Sequence, residues 1–178
     1  MGVDSFMLTI QCTKKLASEL KFDISGDKPI NRDPLYSWHA HLFLWNRRKC
    51  VLVMNNKTRY NFVLFGLRKD DFKQFDDIVV HAIAENLLGD GADKAIIDKY
   101  VQNCTSVSYT VTSDRSIISQ INEMIMAAEC KMTQDKLDGT EPDIGELNRW
   151  LNRYIMMKLP KLYSGETMLE ELLHLGDL

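Results

Sequence analysis

Three apolar runs, Trp38–Trp45, Cys50–Met54 and Tyr60–Phe65, follow one another with only short polar turns between them, and they set the expected fold. All three are rich in β-branched, aromatic and aliphatic residues, the composition of strands. Asn46, Asn55 and Asn56 fall in the turns, where Asn tolerates the left-handed backbone of tight hairpins. The pattern predicts an antiparallel meander. Cys50-Val51-Leu52-Val53-Met54 has no polar position, so it is the central strand, with Leu52 and Val53 pointing to opposite, covered faces.

Upstream, Met7–Gln11 reads as a strand, and Thr13 caps a short helix running to Leu20. Gly26, Pro29 and Pro34 mark residues 21–34 as a surface loop. Downstream, Asp70 or Asp71 caps a helix with Phe72, Phe75, Val79, Ile83 and Leu87 at helical spacing, which Gly89-Asp90-Gly91 stops. A short helix over Asp93–Val101 leads into Val107, Tyr109 and Val111 alternating with Ser and Thr, a half-exposed strand. Ser113 then caps a helix with Ile117, Ile121, Met124, Ile125 and Ala128 on one stripe. Asp143 caps another that carries Ile144, Leu147, Leu151, Tyr154, Ile155 and Lys158 and ends at Pro160. The last segment sets Leu169, Leu172 and Leu173 against Glu166, Glu170 and Glu171. That amphipathic helix is too short to stand alone, so it docks on this chain or on another.

The expected class is α+β: an antiparallel meander sheet, helices packed mainly on one face, and a helical C-terminal appendage. The expected organisation is a core over residues 7–131, a linker over 132–142 and a helical extension over 143–178. Met156, Met157 and Met168 in that extension suit either core packing or an adaptable surface for a protein partner or self-association.

A chain of 178 residues, 45% hydrophobic and 26% charged, is long enough to bury about 70% of its unfolded-state surface and needs no staples. Cys12, Cys50, Cys104 and Cys130 are scattered without a C-x-x-C pair, which points to reduced core thiols rather than a zinc ribbon or a disulfide framework. No apolar run approaches the roughly 20 residues of a membrane span, and the first residues lack the pattern of a secretion signal. A cytoplasmic protein with no membrane partner is expected.

Charge changes the picture more than composition does. From Leu35 to Lys69 the chain runs 35 residues with seven basic side chains and no Asp or Glu, although the whole chain holds 22 basic and 25 acidic residues and a net charge of -3. In a meander, Arg47, Arg48 and Lys49 share one end of the sheet with Arg68 and Lys69, while Lys57 and Arg59 sit at the other. With Trp45 and Tyr60 as stacking faces, the five-charge end is a candidate nucleic-acid patch. The alternative is a solvated hairpin end, partly neutralised by Asp70 and Asp71.

Cys12-Thr13-Lys14-Lys15-Leu16, Ser37-Trp38-His39-Ala40, Asn46-Arg47-Arg48-Lys49, Lys57-Thr58-Arg59-Tyr60 and Gly66-Leu67 stand in the order of a known family. The chain resembles, over about residues 7–129, a bacterial family of domains of unknown function. The resemblance implies a bacterial or phage source and brings no catalytic residue with it.

His39 and His41 lie two apart on a strand and share a face, as histidine pairs on metal-binding sheets do. A zinc centre wants three or four ligands, and His81 and His174 lie in helices apart from this pair, so no metal is expected. Cys12 or Cys50 could form a nucleophilic pair with His39 or His41 if the fold brings them together, with Cys50 beside Lys49 as the candidate whose thiol a positive neighbour would activate. There is no phosphate-binding glycine motif, and no cofactor is expected. The function left open is thus a non-catalytic binding or regulatory module, with a nucleic-acid binder and a His/Cys enzyme as alternatives.

Overall fold

The computed structural model describes residues 7–22 and 33–177. In chain order the elements are β1 (Met7–Cys12), α1 (Lys14–Leu20), a 3-10 turn at Pro34–Tyr36, β2 (Ser37–Trp45), β3 (Arg48–Asn55), β4 (Asn61–Leu67), α2 (Lys69–Lys73), α3 (Phe75–Gly89), α4 (Lys94–Gln102), β5 (Ser106–Val111), α5 (Arg115–Leu137), α6 (Ile144–Leu151) and α7 (Ser164–Gly176). Most of the surface loop expected over residues 21–34 lies outside the described residues.

The five strands form one sheet in the order β4-β3-β2-β1-β5. The meander is present: β2 pairs antiparallel with β3, from Trp38 opposite Asn55 to Trp45 opposite Arg48, and β3 pairs antiparallel with β4. The first hairpin closes on a two-residue turn, Asn46-Arg47, with φ of 48° and 64° at the two positions, the backbone for which Asn is suited. The sheet as a whole is mixed, which corrects the antiparallel expectation: β1 runs parallel to both β2 and β5. A strand followed by a helix re-enters a sheet in its original direction, so the segment containing α1 makes β2 parallel to β1. The middle strand is β2, and β3 is the interior strand beside it.

Helices cover both faces, which corrects the second part of that expectation. On one face Leu8, Ile10, Trp38, Val51, Val53 and Phe62 pack with α1, α3, α4 and α7. On the other, Phe43, Cys50, Leu52, Met54 and Val63 pack with α5 and α6. Leu52 and Val53 are fully buried in these two opposite clusters, as a strand apolar on every position requires. The α+β class therefore holds, with a mixed five-stranded sheet between two helical layers.

Local caps differ in detail. Asp114, not Ser113, caps α5, accepting from the N–H groups of Ser116 and Ile117 at 2.8 and 3.3 Å. Asp71 accepts from the Arg68 N–H at 2.7 Å, and the expected single helix after it breaks at Gln74 into α2 and α3. The stretch expected as a linker is helical to Leu137, because Met132 continues the buried stripe of α5. Asp143 caps α6 as expected, but the helix ends at Leu151, and residues 152–163 form a loop pinched by a bridge between Ile155 and Tyr163.

The C-terminal segment docks on its own chain. Met168 and Leu172 of α7 lie within the first cluster, and Asn148 of α6 with Asn152 at its C-cap seals the free edge of β4 with side chains. Asn148 accepts from Val63 N–H at 2.8 Å and donates to Val63 C=O at 3.4 Å. One turn on, Asn152 accepts from Asn61 N–H at 2.9 Å and donates to Asn61 C=O at 2.7 Å. Two carboxamides thus stand in for a neighbouring strand on an edge that would otherwise invite pairing with another chain.

Candidate basic groove

The meander brings the expected charges together. Arg47, Arg48, Lys49, Gly66, Leu67, Arg68 and Lys69 line one concave surface of about 510 Å³ at the end of the sheet where the first hairpin turns and β4 finishes. Its shape comes from a bulge. Val51 pairs with Leu64 and Lys49 with Leu67, so β4 carries one residue more than β3 over this span. Gly66 supplies the left-handed backbone at φ 67°, and the stem of Arg48 lies 4.0 Å from where a Cβ on Gly66 would stand.

The cations are not equivalent. Lys49 gives its ammonium to Glu19 of α1 at 2.6 Å and lies over the Phe72 ring, so part of its charge is already answered. Arg48 lies over the ring of Phe65, its guanidinium 5.4 Å from the centroid. Among the described residues no carboxylate comes within 4.0 Å of the side-chain nitrogens of Arg47, Arg48, Arg68 or Lys69, while the nearby Asp70 pairs with Lys73 at 3.2 Å. The other two charges of the acid-free segment are used elsewhere: Lys57 pairs with Glu171 at 2.8 Å, and Arg59 is hydrogen-bonded to Gln120 and to the Asn56 carbonyl.

Neither of the two aromatic residues expected beside these charges lines the groove. Tyr60 is fully buried at the start of β4, about 20 Å of strand away from Gly66, and its hydroxyl donates to Asp90. Burial raises the pKa of both partners. Trp45 does lie beside Arg48 in the hairpin, but its ring packs against Phe65 at 5.9 Å, Lys136 stands 5.8 Å from its centroid, and its N–H goes to Thr133 Oγ1 at 3.1 Å. Phe65 as the platform under Arg48, and Glu19 as the partner of Lys49, were invisible in the sequence because both contacts depend on how the layers stack.

His39 and His41 do share a face, that of α5, yet they serve separate contacts. His39 is fully buried. Its Nε2 accepts from Ser113 N–H at 3.3 Å and its Nδ1 lies 2.7 Å from Asn56 Oδ1, so the ring is neutral with the proton on Nδ1. The network closes on itself, since Asn56 Nδ2 donates to Gln11 Oε1 at 2.7 Å and Gln11 Nε2 to Ser113 Oγ at 2.7 Å. Burial holds the pKa of His39 below its ordinary 6.5. His41 Nδ1 pairs with Thr13 Oγ1 at 2.8 Å, which is why Thr13 does not use its hydroxyl to cap α1. Its pKa is lowered too, by burial and then by Lys15.

No thiol is activated by these histidines. Cys50 points into the α5 face and donates to the Arg48 carbonyl at 3.8 Å, and burial raises its pKa. Lys49 cannot lower it, because adjacent strand residues point to opposite faces. Burial pushes the Cys12 thiol up to about 12.

Residues 9–165 match the family model Domain of unknown function (DUF6933), a span that continues past the expected 7–129 through α6 to the first residues of α7. No curated protein and no solved structure matches the chain significantly. With most of its length matched, the chain belongs to this family of domains of unknown function.

Proposed function

We propose that this domain is a non-catalytic binding module whose basic groove engages the phosphate backbone of a nucleic acid. One observation carries the reading: Arg47, Arg48, Arg68 and Lys69 line a single concavity and have no carboxylate partner among the described residues, in a chain whose net charge is -3. Like charges gathered without close carboxylate partners repel one another, and an anionic ligand relieves that cost. Guanidinium groups suit phosphate because their fork matches two oxygens at once.

The recognition is by charge and shape rather than by stacking. With Tyr60 buried and Trp45 packed on Phe65 outside the concavity, no aromatic residue lines the groove. Sequence-independent contact with phosphates follows, with no preference for single strands. An enzyme built on His39, His41 and Cys50 has less support: His39 has both ring nitrogens engaged, His41 pairs with a threonine, and Cys50 is buried with a raised pKa. The test is binding of labelled duplex and single-stranded oligonucleotides as salt is raised, with an acidic polypeptide as the competing anion. Equal affinity for both nucleic acids, falling steeply with salt, supports the reading; retention of the acidic polypeptide alone rejects it.

A further inference from the structure

A second acid-free stretch lies at the opposite end of the molecule. Between Glu146 and Glu166 the chain contains Arg149, Arg153, Lys158 and Lys161 and no Asp or Glu. Its centre is the loop that joins α6 to α7. The Ile155–Tyr163 bridge and the bond from Met156 N–H to Leu162 C=O, at 2.7 Å, pinch the base of this loop, and Leu159 N–H closes a turn onto Met156 C=O at 3.2 Å. Met156 anchors it in the α5–α6 cluster. The neighbouring apolar side chains go the other way: Met157 is 82% exposed, Ile155 57% and Leu162 47%.

A loop held in shape by its own hydrogen bonds, yet turning three large apolar side chains to water, bears an unexplained solvation cost. The loop's own charges are positive, while Asp90, Glu166 and Glu170 lie on its flank. Lys158 is exposed with no ion pair among the described residues, Lys161 reaches Glu170 only at 4.0 Å, and Arg153 is exposed beside Asp90 and Glu166. Trp150 and Tyr154, in edge contact at 5.5 Å, immediately precede the loop. Apolar side chains that stand out from a surface, flanked by lysines and preceded by Trp and Tyr, match a lipid headgroup boundary, where alkyl groups enter the acyl region while cations stay among phosphates. A protein partner would instead need a pocket shaped to receive three separate protrusions.

We infer that the 155–162 loop is a docking element for an anionic lipid bilayer, acting at the interface without crossing it. Among the described residues no helix is long and apolar enough to cross a membrane. The inference stands apart from the basic groove, because α6 runs with Asn152 beside Asn61, which places the loop at the start of β4 and the groove at its end.

The test is co-sedimentation of the full chain with phosphatidylcholine vesicles, with and without about 30% phosphatidylserine. The variants are Ile155→Ser with Met157→Ser and Leu162→Ser, Lys158→Gln with Lys161→Gln, and a control with Arg47, Arg48, Arg68 and Lys69 all changed to Ala. We expect pelleting with the anionic vesicles only, weakened about tenfold or more in both loop variants and retained in the groove control. Absence of pelleting with anionic vesicles overturns the inference. So does pelleting that survives either loop variant or is lost in the groove control. If light scattering shows a dimer that the serine variant converts to monomer, the loop is covered by a second copy and the inference is likewise overturned.

Discussion

His39 Nε2 accepts the backbone N–H of Ser113 at 3.3 Å, so a ring nitrogen on β2 carries the start of the segment that leads into α5. The bond exists only while that nitrogen is unprotonated. With Asn56 holding the other nitrogen and Gln11 tying Asn56 to Ser113, one neutral imidazole links β1, β2, the β3–β4 turn and the β5–α5 connection.

Stability should therefore fall in mild acid. The pKa of His39 is lowered by burial and by Arg59, against the opposing effects of the Asn56 bond and Asp114, and the pKa of His41 is lowered by burial and Lys15. A base whose folded pKa lies below its unfolded value binds fewer protons when folded. Its contribution is complete above about 6.5 and is lost as pH falls from there through the folded pKa. Urea denaturation between neutral pH and about pH 5 should show declining stability, and His39→Gln should flatten the slope while costing about 1–3 kcal/mol at neutral pH. A slope unchanged by His39→Gln would assign the effect to His41 or to other groups.

The edge of β4 supplies the second expectation. Asn148→Ala leaves the Val63 N–H buried and unpaired, at a cost of about 1–3 kcal/mol. Asn148→Asp keeps an acceptor for that N–H, but only its protonated form has a donor for the Val63 carbonyl, so it should fall between alanine and the parent in acid and lose stability as the pH rises and the buried carboxyl ionises. Chemical denaturation orders the three, and faster amide exchange at Val63 in the alanine variant locates the loss.

Leu52 and Val53 test the two-sided sheet. Leu52→Ala opens a cavity between β3 and the α5–α6 layer and should cost about 2–5 kcal/mol. A loss below about 0.5 kcal/mol would mean that this layer does not pack as described. Val53→Ala acts on the opposite cluster, and because the two side chains share no cavity, the double variant should be close to additive.

Thiol chemistry follows burial. Cys12, Cys50 and Cys104 are buried and Cys130 is exposed. A thiol reagent at pH 8 should modify Cys130 in the native protein and all four cysteines after unfolding, with Cys12 and Cys104 held back further by pKa values raised to about 12. Rapid native modification of Cys50 would reopen the case for an activated thiol.

The hairpins and the charge cluster were legible because they are local. A two-residue Asn-Arg turn sets the β2–β3 register, and the direction of each strand then decides which end receives Arg47–Lys49 and Arg68–Lys69. The pairing of β1 with β5 spans about a hundred residues and leaves no period or turn signal in the chain, so the parallel half of the sheet was not legible. Asn148 and Asn152 give no signal in the sequence, which does not say that a bare strand edge lies beside them. Tyr60 failed as a site residue for a related reason. Its place in the chain puts it near Arg59, but its ring turns into the core and its hydroxyl reaches Asp90, just past the C-terminal end of α3.

The most direct test of the basic groove is fluorescence anisotropy of a labelled mixed-sequence duplex, titrated with the intact protein from about 50 to 200 mM salt. Up to four neutralised phosphates give a log Kd against log salt slope of up to about 4, and replacing Arg47, Arg48, Arg68 and Lys69 with Ala should abolish binding while leaving the melting temperature unchanged. Absence of salt-sensitive binding at about 50 mM, or binding that survives the fourfold variant, would contradict a phosphate-holding role for the groove.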